Sequence, residues 1–350
     1  MSDIEVDIAA VVGSCRAERA QYANRLAEAT GRTLFGEAQL CMSPHPVEEA
    51  LALAPWAHET GAVVELPADA RVIEFIRAVH RPGSPCSLSG IVCVADARHL
   101  IADLLRGTYS GRPVMRGPSA ESTVTTEYVA HAVLSVHQIE YASKIVLVNW
   151  QTMPTQELAA LMALVSHLNP QAALWLDNGG LEPAAPAACD GSSPNIQPGW
   201  VSVINGSHRP GMTDPRVRFL HYEQLRPFHP ERLERLIEQR MDTGEFGTVI
   251  RSAGFCRLAS RAGTLARWEH VGHVFSTVPL GSHGKESVTT LMQATGQNLA
   301  FIGIDLLCDD LRRALDEAVL TDAELAVGAD EWRSYTDPFP AWEPVTVPLE

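Results

Sequence analysis

The residues with the clearest chemical potential lie between Ile8 and Ala29. An apolar run, Ile8-Ala9-Ala10-Val11-Val12, ends at Gly13 and gives way to the helix-favouring stretch Ala17 to Ala29. A buried strand that feeds a helix through a glycine turn is a phosphate-binding arrangement, because the helix N-terminus offers unpaired N–H groups. The P-loop form of this turn is G-x-x-x-x-G-K-[ST]. Here the slot reads Gly13-Ser14-Cys15-Arg16-Ala17-Glu18-Arg19-Ala20. Glu18 brings a Cβ and a negative charge where backbone amides should face phosphate. Arg19 keeps a positive charge but as a planar fork, and Ala20 lacks the hydroxyl that would hold Mg²⁺. The turn alone fits both a βα turn that never bound nucleotide and a P-loop that has decayed.

Other groups invite metal or anion chemistry. His270 and His273, with His283 and Cys256, have ligand-type side chains in the second half of the chain. Gly284-Lys285 resembles a phosphate loop only superficially, since Pro279 stands at the first glycine and Glu286 follows the lysine. Between Arg216 and Arg267 ten arginines face six acidic residues, whereas Trp268 to Glu350 holds fourteen acidic residues and four basic ones. That local excess singles out Arg226, Arg232, Arg235 and Arg240 as interaction residues on an otherwise acidic molecule.

These residues need a scaffold, and the apolar pattern supplies one. Short apolar runs at Ala62–Val64, Gly90–Asp96 and Lys144–Asn149 alternate with helical stretches, which implies an α/β domain with a mainly parallel sheet. Gly107–Ser119 reads as a loop, Glu127–Tyr141 as a helix, and Thr155–Leu168 as another. Residues 1–176 form this first domain, 177–214 a Gly/Pro-rich linker with one short strand at Trp200–Ile204, and 215–345 a second domain. Two strand-helix units around a hairpin there imply a ferredoxin-like α+β fold. The helix starting at Pro230 should turn Leu233, Leu236 and Ile237 inward.

Composition narrows the function. A net charge of −15 argues against general nucleic-acid binding, and no direct DNA binding is expected. Seven cysteines without paired spacing fit a reducing compartment, and the lack of a long apolar stretch argues against a membrane location. A cytoplasmic protein is the expectation.

The second half also carries a recognisable text. Arg226-Pro227-Phe228-His229-Pro230-Glu231-Arg232-Leu233 resembles the opening of the CobW C-terminal domain. Ile250–Phe255 with Leu258–Arg261, then Phe301–Gly303, Leu320–Leu325 and Asp337–Trp342, continue the likeness over roughly residues 216–342. The family joins this domain to a P-loop GTPase domain, and several members are zinc metallochaperones. Within the first half, Val94-Ala95-Asp96-Ala97 resembles the family's V-V-D-A strand end. Asn149-Trp150-Gln151-Thr152 stands where the family has its guanine-reading N-K-x-D. Only Cys41 remains where the family has Cys-x-Cys-Cys, and Glu65–Asp69 lacks the glycine of the next switch motif. Four altered elements in one domain imply a pseudo-GTPase, with Gly13, Arg19 and Asn149 as a vestigial nucleotide site and no required cofactor. Some actinobacterial relatives are associated with zinc starvation and with bringing a ribosome-hibernation factor to the ribosome. The resemblance thus implies an adaptor with the ribosome or that factor as partner. The alternative is a GTP-dependent zinc metallochaperone with an atypical site, which would need GTP and Zn.

Overall fold

The computed structural model describes residues 5–116, 123–179, 197–280 and 296–342. The chain divides into two compact units, residues 1–199 with 210–213 and residues 200–209 with 214–350.

The first unit is built on six parallel strands: β1 (Val6–Val12), β2 (Thr33–Phe35), β3 (Ala62–Glu65), β4 (Cys86–Asp96), β7 (Lys144–Val148) and β8 (Ala173–Leu176). Their order is β2-β3-β1-β4-β7-β8, with every neighbouring pair parallel. Strands β1, β3, β4 and β7 are almost wholly apolar because helices cover both faces. Helix α1 (Arg16–Thr30) packs Tyr22, Ala23, Leu26 and Ala27 against Val11, Val63, Val92 and Val146. It ends at Gly31, whose φ of 67° closes the helix in the left-handed conformation. The chain passes from β1 to one side of the sheet and later returns through β4 on the other side. The crevice beyond the carboxyl ends of β1 and β4 is therefore the topological switch point, where open α/β sheets bind ligands.

Helices α2 (Glu37–Leu40), α3 (Pro46–Leu53), α4 (Val72–Val79), α5 (Leu100–Leu104), α6 (His131–Glu140) and α7 (Thr155–Leu168) complete this unit. Two expectations need correction here. The Gly/Pro-rich segment after Gly107 is not a plain loop, since β5 (Tyr109–Arg116) pairs antiparallel with β6 (Thr123–Ala130) in a separate ribbon. Consequently α6 begins at His131, four residues after the expected start at Glu127. The alternating Thr/Val pattern of β6 outweighs the turn formers opposite it.

In the second unit, β9 (Val217–Gln224), β10 (Thr248–Cys256), β11 (Ala266–Val271), β12 (Val274–Pro279) and β13 (Gln297–Ile304) form an antiparallel sheet ordered β12-β11-β10-β13-β9. Helix α9 (Pro230–Leu236), extended by a π turn at Ile237–Met241, connects β9 to β10 with β13 inserted between them. This is the split βαβ element of a ferredoxin-like domain. Helix α10 (Cys308–Ala318) follows β13 and shares the core with α9. Trp268 is fully buried there, touching Phe228, Phe275 and Phe301 and donating to Ser252 Oγ at 2.8 Å.

The expected strand at Trp200–Ile204 is instead helix α8 (Gly199–Ile204). Its β-branched residues favour a strand locally, but Trp200, Val203 and Ile204 sit at helical spacing. That face packs onto Ala253 and Ala300 of the sheet. The rest of the second unit's chain includes α11 (Asp322–Val327), which begins with a capping box between Thr321 and Glu324. No helix among the described residues is long and apolar enough to cross a membrane.

Candidate functional site

At the switch point the turn between β1 and α1 is only Gly13-Ser14-Cys15, because α1 already starts at Arg16. The positions corresponding to the second glycine, lysine and hydroxyl of a phosphate loop are therefore helical and offer no open loop of amides. Gly13 adopts φ of 146°, and a Cβ there would lie 2.0 Å from the Val94 carbonyl oxygen. The glycine thus permits the close approach of β1's end to β4.

Arg19 is fully buried. Its guanidinium lies 2.9 Å from Glu37 Oε2 and 3.2 Å from Glu65 Oε1, and donates to the Gly13 carbonyl at 2.5 Å. Arg16 also reaches Glu37, at 2.6 Å. The positive charge that sequence places in a phosphate site is spent inside the fold, holding α1 to β3, α2 and the β1 turn.

Asn149 follows β7 in the left-handed conformation, with φ of 58°. Its amide donates to Asp96 Oδ2 at 2.8 Å and to Glu18 Oε1 at 3.2 Å. Thus the ends of β4 and β7 and the first turn of α1 converge on one amide and two carboxylates. Glu18 supplies, from the first turn of α1 itself, the negative charge that favours a helix N-terminus. Ser14 Oγ donates to Asp103 at 2.9 Å, and Arg106 neutralises Asp103 at 2.6 Å. The carboxylates of Glu18 and Asp96 are bridged only by the neutral amide, and they would repel a polyphosphate. Trp150 and Gln151 donate to the Asp177 carbonyl at 2.8 and 3.1 Å, which fixes the turn where a guanine would be read.

Metal-ligating groups are sparse in this unit. Burial, with Glu18 beside it, pushes the Cys15 thiol up to about 12, and its Sγ donates to the Val94 carbonyl. Cys41 is exposed, and no other cysteine stands near it in the sequence. Cys256 is buried in the second unit, and burial raises its thiol to about 12. His270 is buried and His273 is half-exposed, with Asp242 facing both. His283 and the Gly284-Lys285 pair lie outside the described residues.

The four arginines of the second unit have unequal fates. Arg226 bonds Asp322 at 2.5 Å and the Leu320 carbonyl at 3.2 Å. Arg232 clamps both oxygens of Glu324, at 2.8 and 2.7 Å, and also the Val319 carbonyl. That clamp, with the Thr321 cap, holds the Glu324 carboxyl down at about 2. Arg240 pairs with Glu245 and Glu317. Arg235 is exposed and, among the described residues, donates to the Glu231 carbonyl of its own helix at 3.2 Å with no carboxylate partner. Arg232, Arg235, Arg240 and Glu317 line a groove of about 310 Å³ between α9 and α10. Sequence marked the arginines but not their carboxylate partners, which come from residues up to 96 positions away.

Residues 217–319 match the family described as the cobalamin synthesis protein cobW C-terminal domain. The chain is 27% identical over 227 residues to zinc-regulated GTPase metalloprotein activator 1 of Dictyostelium discoideum, across 59% of this chain and 47% of that protein. It thus spans about half the length of the curated relative it matches. Among solved structures, the Zn(II)-bound YjiA GTPase from E. coli aligns over 90% of this chain and 99% of its own, at 12% identity and a TM-score of 0.35.

Proposed function

We propose that the chain works by binding, as a CobW-type pseudo-GTPase adaptor in the response to zinc limitation, a reading supported by the CobW C-terminal domain match over residues 217–319. The observation that carries this reading is the buried Arg19–Glu37–Glu65 cluster, which takes the cation at the phosphate-loop lysine's position away from any nucleotide. The Glu18–Asn149–Asp96 bridge supports it, because it adds negative charge to the same crevice. Calorimetric titration with Mg-GTP is expected to show no binding tighter than about 100 μM, equivalent to roughly −5.5 kcal/mol. Micromolar binding with steady turnover would refute the reading. The second reading, a GTP-dependent zinc metallochaperone, is favoured by the name of the Dictyostelium relative and would then replace it.

The proposed partner is a ribosome-hibernation factor, the ribosome, or both together, in the cytoplasm. The docking surface is the arginine groove of the second unit, where Arg235 is the exposed guanidinium without a carboxylate partner among the described residues. An Arg235→Glu variant should keep its fold and co-sediment with ribosomes and the factor about threefold less at low salt, where charge attraction is least screened. Arg232→Glu is a poor test, because it would set a carboxylate against Glu324 and disturb α11. Equal sedimentation of wild type and Arg235→Glu would remove the groove from the docking surface. No sedimentation of the wild type would remove the ribosomal partner.

A further inference from the structure

Between the start of α3 and the length of α4, the first unit has a hollow of about 550 Å³. That volume lies within the range of small-molecule sites. Pro46 and Val47 of α3, with the buried Ala70 and Ala78, give it an apolar wall. Four exposed charges of both signs, Glu48, Asp69, Arg77 and Arg81, also line it. Among the described residues, none of these four side chains makes a hydrogen bond or an ion pair.

Helix dipoles account for two of the signs. Glu48 is in the first turn of α3 and Arg77 in the last turn of α4. They do not account for Asp69, which lies in the turn closed by the Ala70 N–H on the Pro67 carbonyl. Nor do they account for Arg81, which lies beyond the end of α4. Arg77 also lacks the partner its helix would ordinarily supply. Glu74, three residues earlier, is held by Arg71 at 3.0 Å, and Arg71 is itself anchored to Glu127 of β6 at 2.8 Å. Opposite charges that could neutralise one another are thus kept apart around an apolar hollow. A ligand with a charge of each sign at its ends and an apolar middle would satisfy them together. We propose that this hollow binds a short peptide with free ends, its carboxylate on Arg77 and Arg81 and its ammonium on Asp69.

The chemistry and the spacing suit that ligand. A guanidinium fork grips a carboxylate through two parallel hydrogen bonds, and capture of free chain ends is a recurring mode of peptide recognition. Asp69 precedes α4, whereas Arg77 and Arg81 stand at its far end. From Val72 to Val79 the helix rises about 10 Å, at roughly 1.5 Å per residue. An extended peptide covers at most about 3.3–3.6 Å per residue, so two or three residues bridge that span. A single amino acid holds its two charges too close together to reach both ends. The apolar wall of Pro46, Val47, Ala70 and Ala78 favours small apolar side chains between the charged ends. The inference does not rest on the adaptor reading and survives its failure.

The test is calorimetric titration of the full-length chain with trialanine. Saturable binding at about one site per chain is expected, with a Kd below about 1 mM. Acetylating the peptide's amine or amidating its carboxylate should each weaken binding by at least about tenfold, and free alanine should bind at least tenfold more weakly. Arg77→Gln with Arg81→Gln should weaken trialanine by a similar factor and leave the protein indifferent to amidation. Asp69→Asn should do the same for acetylation, because each substitution removes the group that reads one end. All three side chains are exposed, so thermal midpoints should stay near that of the wild type. Any of four outcomes would overturn the site: no binding of trialanine, equal binding of its acetylated and amidated form, equal binding of free alanine, or binding indifferent to the substitutions.

Discussion

Replacing Arg19 with leucine is expected to cost about 3–5 kcal/mol of stability in the first unit, the scale for removing one partner of a buried ion pair. The substitution leaves Glu37 and Glu65 facing each other across the space the guanidinium filled. It also strips the Gly13 carbonyl of its donor. Arg19→Lys is the sharper experiment, because lysine is what a working phosphate loop carries there. A single ammonium keeps the charge but cannot reach Glu37, Glu65 and the Gly13 carbonyl with a planar fork's geometry. A loss of about 1–3 kcal/mol is expected, without any gain in Mg-GTP affinity. Urea unfolding followed by hydrogen exchange in β1, α1 and β3 measures the first effect, and calorimetry the second. If Arg19→Leu were neutral, or Arg19→Lys created nucleotide binding, the arginine would belong to a phosphate site after all.

The sequence made the parallel sheet legible because β1, β4 and β7 are nearly continuous apolar runs, and burial on both faces demands that composition. The Pro230 helix was legible for a similar reason, since Leu233, Leu236 and Ile237 do share its buried face. What stayed hidden depends on contacts distant in the chain. Nothing local told Trp200–Ile204 that a sheet face at Ala253 and Ala300 would reward helical spacing over β-branched preference. At the switch point, sequence exposed the missing lysine, glycine and hydroxyl. It could not reveal that Arg19 meets Glu37 and Glu65, or that Asn149 bridges Glu18 and Asp96, contacts spanning 18 to 131 residues. Asp242 was likewise invisible beside His270, because only the π turn after α9 brings it to the β11–β12 hairpin.

Gly13→Ala should have the other large effect, and it separates two reasons for keeping a glycine at this turn. A glycine retained to let phosphate approach would border open space in the ligand-free protein, and an alanine there would mainly weaken nucleotide binding. In this fold the new methyl would lie 2.0 Å from the Val94 carbonyl oxygen and 3.0 Å from its carbon. Those atoms belong to the middle of the sheet, where β4 pairs with both β1 and β7 and cannot yield as a side-chain tip would. The backbone at φ of 146° adds strain that alanine bears poorly. A loss of more than about 4 kcal/mol is expected, in the range reserved for strain and overpacking in a core. Denaturant midpoints measure it directly, and added Mg-GTP should not restore any of the loss, since a ligand stabilises only the state that binds it. A stable Gly13→Ala protein would mean that the β1 turn can open away from β4, and with it the crevice that Glu18, Asp96 and Asn149 now close.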